Sequence, residues 1–287
     1  KLFSEAGISA NFKKQNTPEN IGLSGKLNFT EQPTVTYLPL HGDEFIQKLL
    51  APISLETILL LANSGWSVER IMRLTVQNIN GIPNAPTASG PTPKMAPEYT
   101  DFLSIASLFR ELQNKGAFQL AYKKTEKNKQ ATIVFNNKQE ELVAQVRKKL
   151  NLDEQNSYKL SLGQGISNDK KRIVLSTRSL LGVMYFLSHS VDVPDKDKID
   201  GKVTITQDKS GKDYDRYDLT QGLFKINSAA EINKEIGIGT NYRGSWFYID
   251  DSDLDSKSTF SLLTQLFSLQ SGNAEGITPV LTLPIGN

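Results

Sequence analysis

The sequence predicts an α+β fold: mainly antiparallel sheet built from hairpins and packed with helices, preceded by a helix-rich N-terminal region. Three observations predict it. Apolar residues recur at helical spacing in several segments, most plainly over 98–116. Strand-like runs come in adjacent pairs between those helices, which argues for hairpins and against βαβ winding. A proline-dense stretch at 81–97 marks a change from helix-rich to hairpin-rich sequence. The expected division is thus 1–80 (arm and helices), 81–97 (loop or linker) and 98–287 (α+β region), with a single large domain as the alternative.

In order, residues 1 to about 25 are polar with weak periodicity and read as an extended arm. KLNFTEQPTVTYLPL (26–40) is β-prone, but Pro33 and Pro39 restrict any strand to an edge or a short piece. Asp43 precedes a short helix, EFIQKLL, that stops at Pro52. Ser54 can cap the next helix, LETILLLANSG, which ends at Gly65 and is apolar nearly all round, hence buried. SVERIMRLTVQNING (67–81) carries two periods. Val68, Ile71, Met72, Val76 and Ile79 fit a helix; Met72, Leu74 and Val76 fit a strand. Ser67 as a cap and Gly81 as a stop favour the helix.

GIPNAPTASGPTPKMAPEY (81–99) holds five of the twelve prolines, so it must be loop, either a stiff connector or a binding loop. Its PTASGPTP core has PxxP-like spacing. Over 98–116, Phe102, Ile105, Ala106, Phe109 and Leu112 share one helical face, ended by Gly116. AFQLAYKKT and ATIVFNN read as a hairpin across EKNKQ, and KQEELVAQVRKKL as a helix with lysines in its last turn. SYKLSLGQG and RIVLSTRS read as a second hairpin across ISNDKK, followed by a buried helix, SLLGVMYFLSHS. KVTITQD, GLFKINS and NYRGSWFYID supply further strands. A last helix spans about Asp255 to Gln270, and ITPVLTLPIG closes with a strand.

Composition excludes more than it promotes. With 38% hydrophobic and 22% charged residues the chain is globular, not disordered. A formal net charge of +2 gives no reason to expect nucleic acid, which needs a dense basic surface. The lysines of YKKTEKNKQ read as a solvated hairpin tip. There is no cysteine, so disulfides, thiolate metal sites and a cysteine nucleophile are ruled out. The apolar runs at Ile58–Ala62 and Leu180–Leu187 are too short to span a bilayer. The chain opens on KLFSEAGISANF, without methionine or an apolar signal core, so a processed chain is expected.

Searches for chemistry return little. Neither His41 nor His189 has a partner at metal or catalytic spacing, and both read as surface or helix-end residues. LGQGISN lacks the third glycine of a dinucleotide loop and enters a polar turn. Tyr242, Trp246 and Tyr248 would share one face of a strand, either as a binding platform or as core. Pro91 and Pro93 are the binding candidates of the proline loop. In YIDDSDLDSKSTFSLL (248–263), Asp251, Asp253 and Asp255 fit positions 1, 3 and 5 of a calcium loop. Ser256 and Leu262 then stand where glycine and glutamate are required, so no metal is expected. As a helix start the run fits well, with Asp253 or Asp255 as cap. Asp250, Asp251 and Asp253 remain as candidate acids of a hydrolase.

INGIPNAPTASGPTP and YRGSWFYIDDSDLDSKSTFSLLTQLFSLQSG resemble segments of a family of uncharacterised bacterial envelope proteins, many of them lipoproteins. The likeness runs in patches from Leu55 to Gly272. It implies a removed export signal, with or without an N-terminal lipid anchor, and a periplasmic, outer-membrane-tethered or secreted location. It implies no activity, cofactor or catalytic residue. Two expectations follow: a non-enzymatic protein that binds an envelope protein or cell-wall glycan, or a glycan- or peptide-directed hydrolase using the Asp250–Asp253 carboxylates.

Overall fold

A computed structural model describes residues 34–37, 43–124, 129–165, 168–232, 237–271 and 281–284. The chain forms two units. In the smaller, strand β1 (Thr34–Tyr37) pairs antiparallel with the strand Leu281–Pro284, from Thr34 opposite Pro284 to Tyr37 opposite Leu281. The expected arm at 1–25 lies outside the described residues. The larger unit, His41–Ala274, is an α+β domain and contains the main sheet and both cavities.

Its first helices are set by local signals. After α1 (Asp43–Leu50), the Ser54 hydroxyl accepts the Thr57 amide (3.1 Å) to start α2 (Leu55–Asn63). Gly65 follows at φ +92°, a left-handed position where glycine costs least. Ser67 starts α3 (Val68–Thr75) in the same way, accepting from the Arg70 amide. The ambiguous segment then proves to be both things in turn. α3 stops at Thr75 and the chain enters β2 (Val76–Ile79) without a loop. Asn80 (φ 47°) and Gly81 (φ 87°) make a two-residue turn into β3 (Ile82–Pro83), with Ile79 opposite Ile82. Two successive positive φ values match the twist of a hairpin, and Asn-Gly is the dipeptide that best tolerates them. The expected helix stop at Gly81 is therefore a hairpin turn.

A helix can run straight into a strand only if its last carbonyls find donors elsewhere. Arg178 supplies them. Its guanidinium is fully buried and donates to the carbonyls of Arg73 (3.1 Å), Leu74 (3.1 Å), Val76 (2.9 Å) and Asn84, and to the Ser89 hydroxyl (2.9 Å). The Phe186 ring stacks 4.2 Å from it. Burial lowers its pKa to about 9, which still leaves it charged at neutral pH. The Asn84 amide adds bonds to the carbonyls of Arg73 (3.1 Å) and Val76 (2.6 Å). This junction draws the proline stretch inward: Asn84, Ala85 and Ala88 are buried, the last in a 3-10 turn at Pro86–Ser89. Residues 81–97 thus run inside one unit with both flanks, and the chain does not divide there.

The main sheet has six strands, in the order β3-β2-β7-β6-β5-β4. After α4 (Thr100–Asn114), β4 (Phe118–Lys124) and β5 (Lys129–Phe135) pair antiparallel as expected. α5 (Glu140–Leu150) leads to β6 (Ser157–Leu162), which pairs antiparallel with β5. The next expectation fails. β7 (Arg172–Thr177) lies parallel to β6, with Lys159 opposite Arg172 and Leu162 opposite Leu175, so 157–179 is not a hairpin. Alternation says which face a side chain takes and nothing about strand direction. Tyr158 and Leu160 of β6 and Ile173 and Leu175 of β7 are buried in either sense.

That buried face packs against the apolar stripes of α4 and α5 through Phe102, Ile105, Phe109, Val143 and Val146. Phe109, Phe118, Phe135 and Tyr158 form an aromatic cluster with ring centroids 5.9–6.3 Å apart. The opposite face carries exposed Val134 and Lys159, the one-sided burial that an antiparallel sheet tolerates.

α6 (Leu180–Ser188), capped by Ser179 Oγ, follows β7, and α7 (Asp195–Ile199) comes soon after. Met184 and Tyr185 of α6 are exposed, so this helix is buried on one side only. KVTITQD forms no strand: Thr206 and Gln207 make isolated ladder bonds to Tyr214 and to Lys94 and Ala96. A second, antiparallel sheet has the order β8-β10-β9, from β8 (Asn227–Ala229), β9 (Ile238–Tyr242) and β10 (Ser245–Ile249). NYRGSWFYID is therefore a hairpin and not one strand, turning at Arg243 (φ 52°) and Gly244 (φ 73°). The last helix, α8, spans Leu254–Ser271, and the strand Leu281–Pro284 is β11.

Candidate functional site

The aspartate run builds structure. Asp253 Oδ1 accepts the Ser256 amide (2.9 Å) and its Oδ2 the Ser256 hydroxyl (2.6 Å), while the Asp253 carbonyl takes the first helical bond from Lys257. That is an N-cap for α8. Asp250 Oδ1 receives the Ser252 amide (3.0 Å) and hydroxyl (2.7 Å), closing the preceding turn. Asp251 pairs with Lys257. Asp255 pairs with Arg70 (2.6 Å), tying α8 to α3. Each carboxylate has a local partner, and none of the four lines a cavity described below.

The aromatic candidates separate. Tyr242 lies opposite Ser245 across the β9–β10 turn, which puts it on the face of Ser245, Phe247 and Ile249. Trp246 and Tyr248, half-buried, occupy the other face. Tyr242 is 58% exposed, so no three-ring platform forms. Pro91 is exposed, and Pro93 is half-buried with its carbonyl accepting the Thr206 hydroxyl (2.8 Å). His41 lies outside the described residues.

His189, expected at a helix end, is there as the C-cap of α6, and it is only 2% exposed. It stands in the wall of a cleft of about 550 Å³. Three segments build this cleft: the exit of α6 (189–193), the irregular stretch 203–206, and the turn at 213–217, with Lys198 and Lys225 at its sides. The segments are laced by backbone bonds. Asp192 N donates to Ile226 O (2.8 Å), Ile226 N to Ser190 O (3.0 Å), and Tyr214 N to Thr206 O (2.8 Å). The proline stretch backs the wall, since Gln207 N reaches Lys94 O and Ala96 N reaches Gln207 O, both at 2.8 Å. Tyr214 donates its hydroxyl to Tyr99 (3.0 Å); burial and that bond push its ionisation well above the usual tyrosine range.

Two polar groups here are unusual. Neither ring nitrogen of His189 has a hydrogen-bond partner among the described residues. Burial first, then the charges of Arg216 and Arg178, lower its pKa to about 4, so it is neutral at pH 7. Arg216, in the 3-10 turn Arg216–Leu219, lines the same cleft half-buried and makes no hydrogen bond or ion pair among the described residues. Burial pulls its pKa down, with Asp215 opposing. The Asp215 carboxylate is itself committed to the Tyr217 amide (3.0 Å). Other charges of the lining are engaged: Lys198 by Asp195 (3.0 Å), Asp192 by the Ser228 hydroxyl (2.9 Å), and Lys225 over the Tyr217 ring (5.3 Å).

A second concavity, of about 520 Å³, lies between Glu140, Arg147 and 154–156. There Arg147 is bound by Tyr158 Oη (3.0 Å), Gln155 O (2.9 Å) and Glu140, so its donors are used within the fold. Among the described residues no group of acids and histidines is placed to hold a metal, and no helix is long and apolar enough to cross a membrane.

Sequence reasoning missed Arg216 because DYDRYD reads as a solvated, self-paired turn, and nothing local signals a cleft. Comparison with family models, with curated proteins and with solved structures found no match. The resemblance to envelope lipoproteins stands on its quoted residues alone.

Proposed function

We propose that this chain is a non-enzymatic binding protein of the bacterial envelope, and that it holds a cell-wall glycan fragment in the cleft of His189 and Arg216. One observation carries the reading: a cleft of about 550 Å³ whose wall contains a partly desolvated guanidinium without a partner among the described residues. Its volume falls within the roughly 300–1,000 Å³ range of small-ligand sites, which are concave, whereas a protein interface spreads over about 800 Å² of each partner's surface. That favours a glycan over a protein as occupant. The lining mixes the Tyr214 and Tyr217 rings with the exposed Thr204 hydroxyl, a combination that meets both the faces and the hydroxyls of a sugar. Binding is favoured over hydrolysis because Asp250, Asp251 and Asp253 are occupied with turn, ion pair and cap.

Thermal unfolding with soluble cell-wall glycan fragments tests the reading. A ligand that binds only the native state adds about 2.7 kcal/mol at roughly 100 times its Kd. A saturable rise in melting temperature is expected for the wild type and a much smaller one for Thr204→Trp, which fills the cleft. No rise with any fragment, or an equal rise in the filled variant, would count against it.

A further inference from the structure

We propose that this cleft is an acidic-sugar site, in which Arg216 pairs with a carboxylate carried by the glycan; the proposal rests on the glycan reading above. The first ground is the state of Arg216. Its guanidinium is half-buried and unpartnered among the described residues, so its donors have lost part of their water without gaining acceptors. A carboxylate restores both bonds at once, because its two oxygens match the planar fork of the guanidinium.

The second ground is independent of the first. His189 is 98% buried in the same wall by its 2% exposure, and both ring nitrogens lack partners among the described residues. Kept neutral by burial and by the two neighbouring guanidiniums, the imidazole offers one donor and one acceptor. Neither nitrogen reaches solvent, so a sugar hydroxyl, which also donates and accepts, is its natural complement once the side chain turns toward the cleft. A carboxylate for Arg216 and a hydroxyl for His189 together describe a uronic-acid type of sugar.

The remaining charges are arranged around Arg216. Lys198 is paired with Asp195 and Lys225 lies over the Tyr217 ring, while Asp192, Asp213 and Asp215 are exposed and keep their charge at the margin, leaving Arg216 as the half-buried guanidinium inside. A single guanidinium beside a neutral imidazole suits a singly charged oxyanion. A phosphate dianion usually draws on several cations or a row of backbone amides.

Calorimetric titration of the full chain tests this with three probes: a glucuronate-terminated trisaccharide, its glucose-terminated counterpart, and inorganic phosphate. The glucuronate probe should bind about tenfold or more tighter than the neutral one, and Arg216→Gln should bring it down to the neutral level. Arg216→Lys, which keeps the charge but not the fork, should fall between. Equal affinity for the two trisaccharides overturns the acidic-sugar site and leaves the glycan reading standing. Phosphate binding as tightly as the glucuronate probe, with no neutral binding, overturns both. So does silence from all three. The wild-type comparison decides even if Arg216→Gln fails to fold, and the Arg216 Nε–H resonance then reports whether the acid sits on that side chain.

Discussion

Arg178 and Arg216 leave bulk water inside the same unit, yet they meet opposite surroundings. Arg178 is wholly buried and has four backbone carbonyls, a hydroxyl and an aromatic face around it, with no carboxylate among them. Arg216 is half-buried with no partner among the described residues. The first arrangement closes the fold: it lets α3 pass directly into β2 and holds the proline stretch against that junction. The second leaves a guanidinium in the lining of a cleft. A buried charge that the protein satisfies serves the scaffold, and one that it leaves unsatisfied is available to a ligand.

The contrast is broken most severely at Arg178. Arg178→Met keeps bulk but strands the carbonyls of Arg73, Leu74, Val76 and Asn84, so a loss of about 4 kcal/mol or more is expected in urea unfolding. A loss below about 1 kcal/mol would show that the junction holds without it.

Next in size is a pH effect from His189. Its pKa falls from about 6.5 unfolded to about 4 folded, so below the unfolded value the unfolded chain binds a proton that the native one does not. Stability should therefore fall as pH drops through that window, by about 1–2 kcal/mol between about pH 7.5 and pH 5. His189→Gln should flatten that part of the profile. A profile unchanged by the substitution would mean that the imidazole is better solvated than its burial implies.

A smaller change is expected at the aspartate run. Asp253→Ala removes the cap of α8 and should cost about 0.5–2 kcal/mol, whereas Asp251→Ala, which loses an exposed ion pair, should cost less than about 1 kcal/mol. Melting temperatures of the two variants check the order. Equal losses would show that the run acts as a charge cluster and not through one cap.

What the sequence made legible follows the range of the interactions. Caps at Ser54, Ser67 and Asp253 depend on bonds three residues away, and the apolar stripe of α4 on a single helix, so these could be read. The Asn80–Gly81 turn was signalled but was outweighed by helical spacing that persists through Ile79. The Arg243–Gly244 turn lacked the asparagine that usually marks such a hairpin, so Tyr242 was set on the wrong face. The direction of β7 could not be read, because both directions bury the same residues. Least legible was the cleft. Arg178 meets partners 89–105 positions away, and Arg216 is distinguished by having none among the described residues, which no local pattern encodes.

The difference between the two arginines is tested most directly by measuring stability and ligand affinity together on Arg216→Gln. The melting temperature should stay close to wild type, a change within about 0.5 kcal/mol, because no side-chain bond to a described residue is lost. Affinity for the glucuronate-terminated trisaccharide should fall about tenfold or more. A protein destabilised as strongly as Arg178→Met, with affinity intact, would make Arg216 a second scaffold residue and contradict the account.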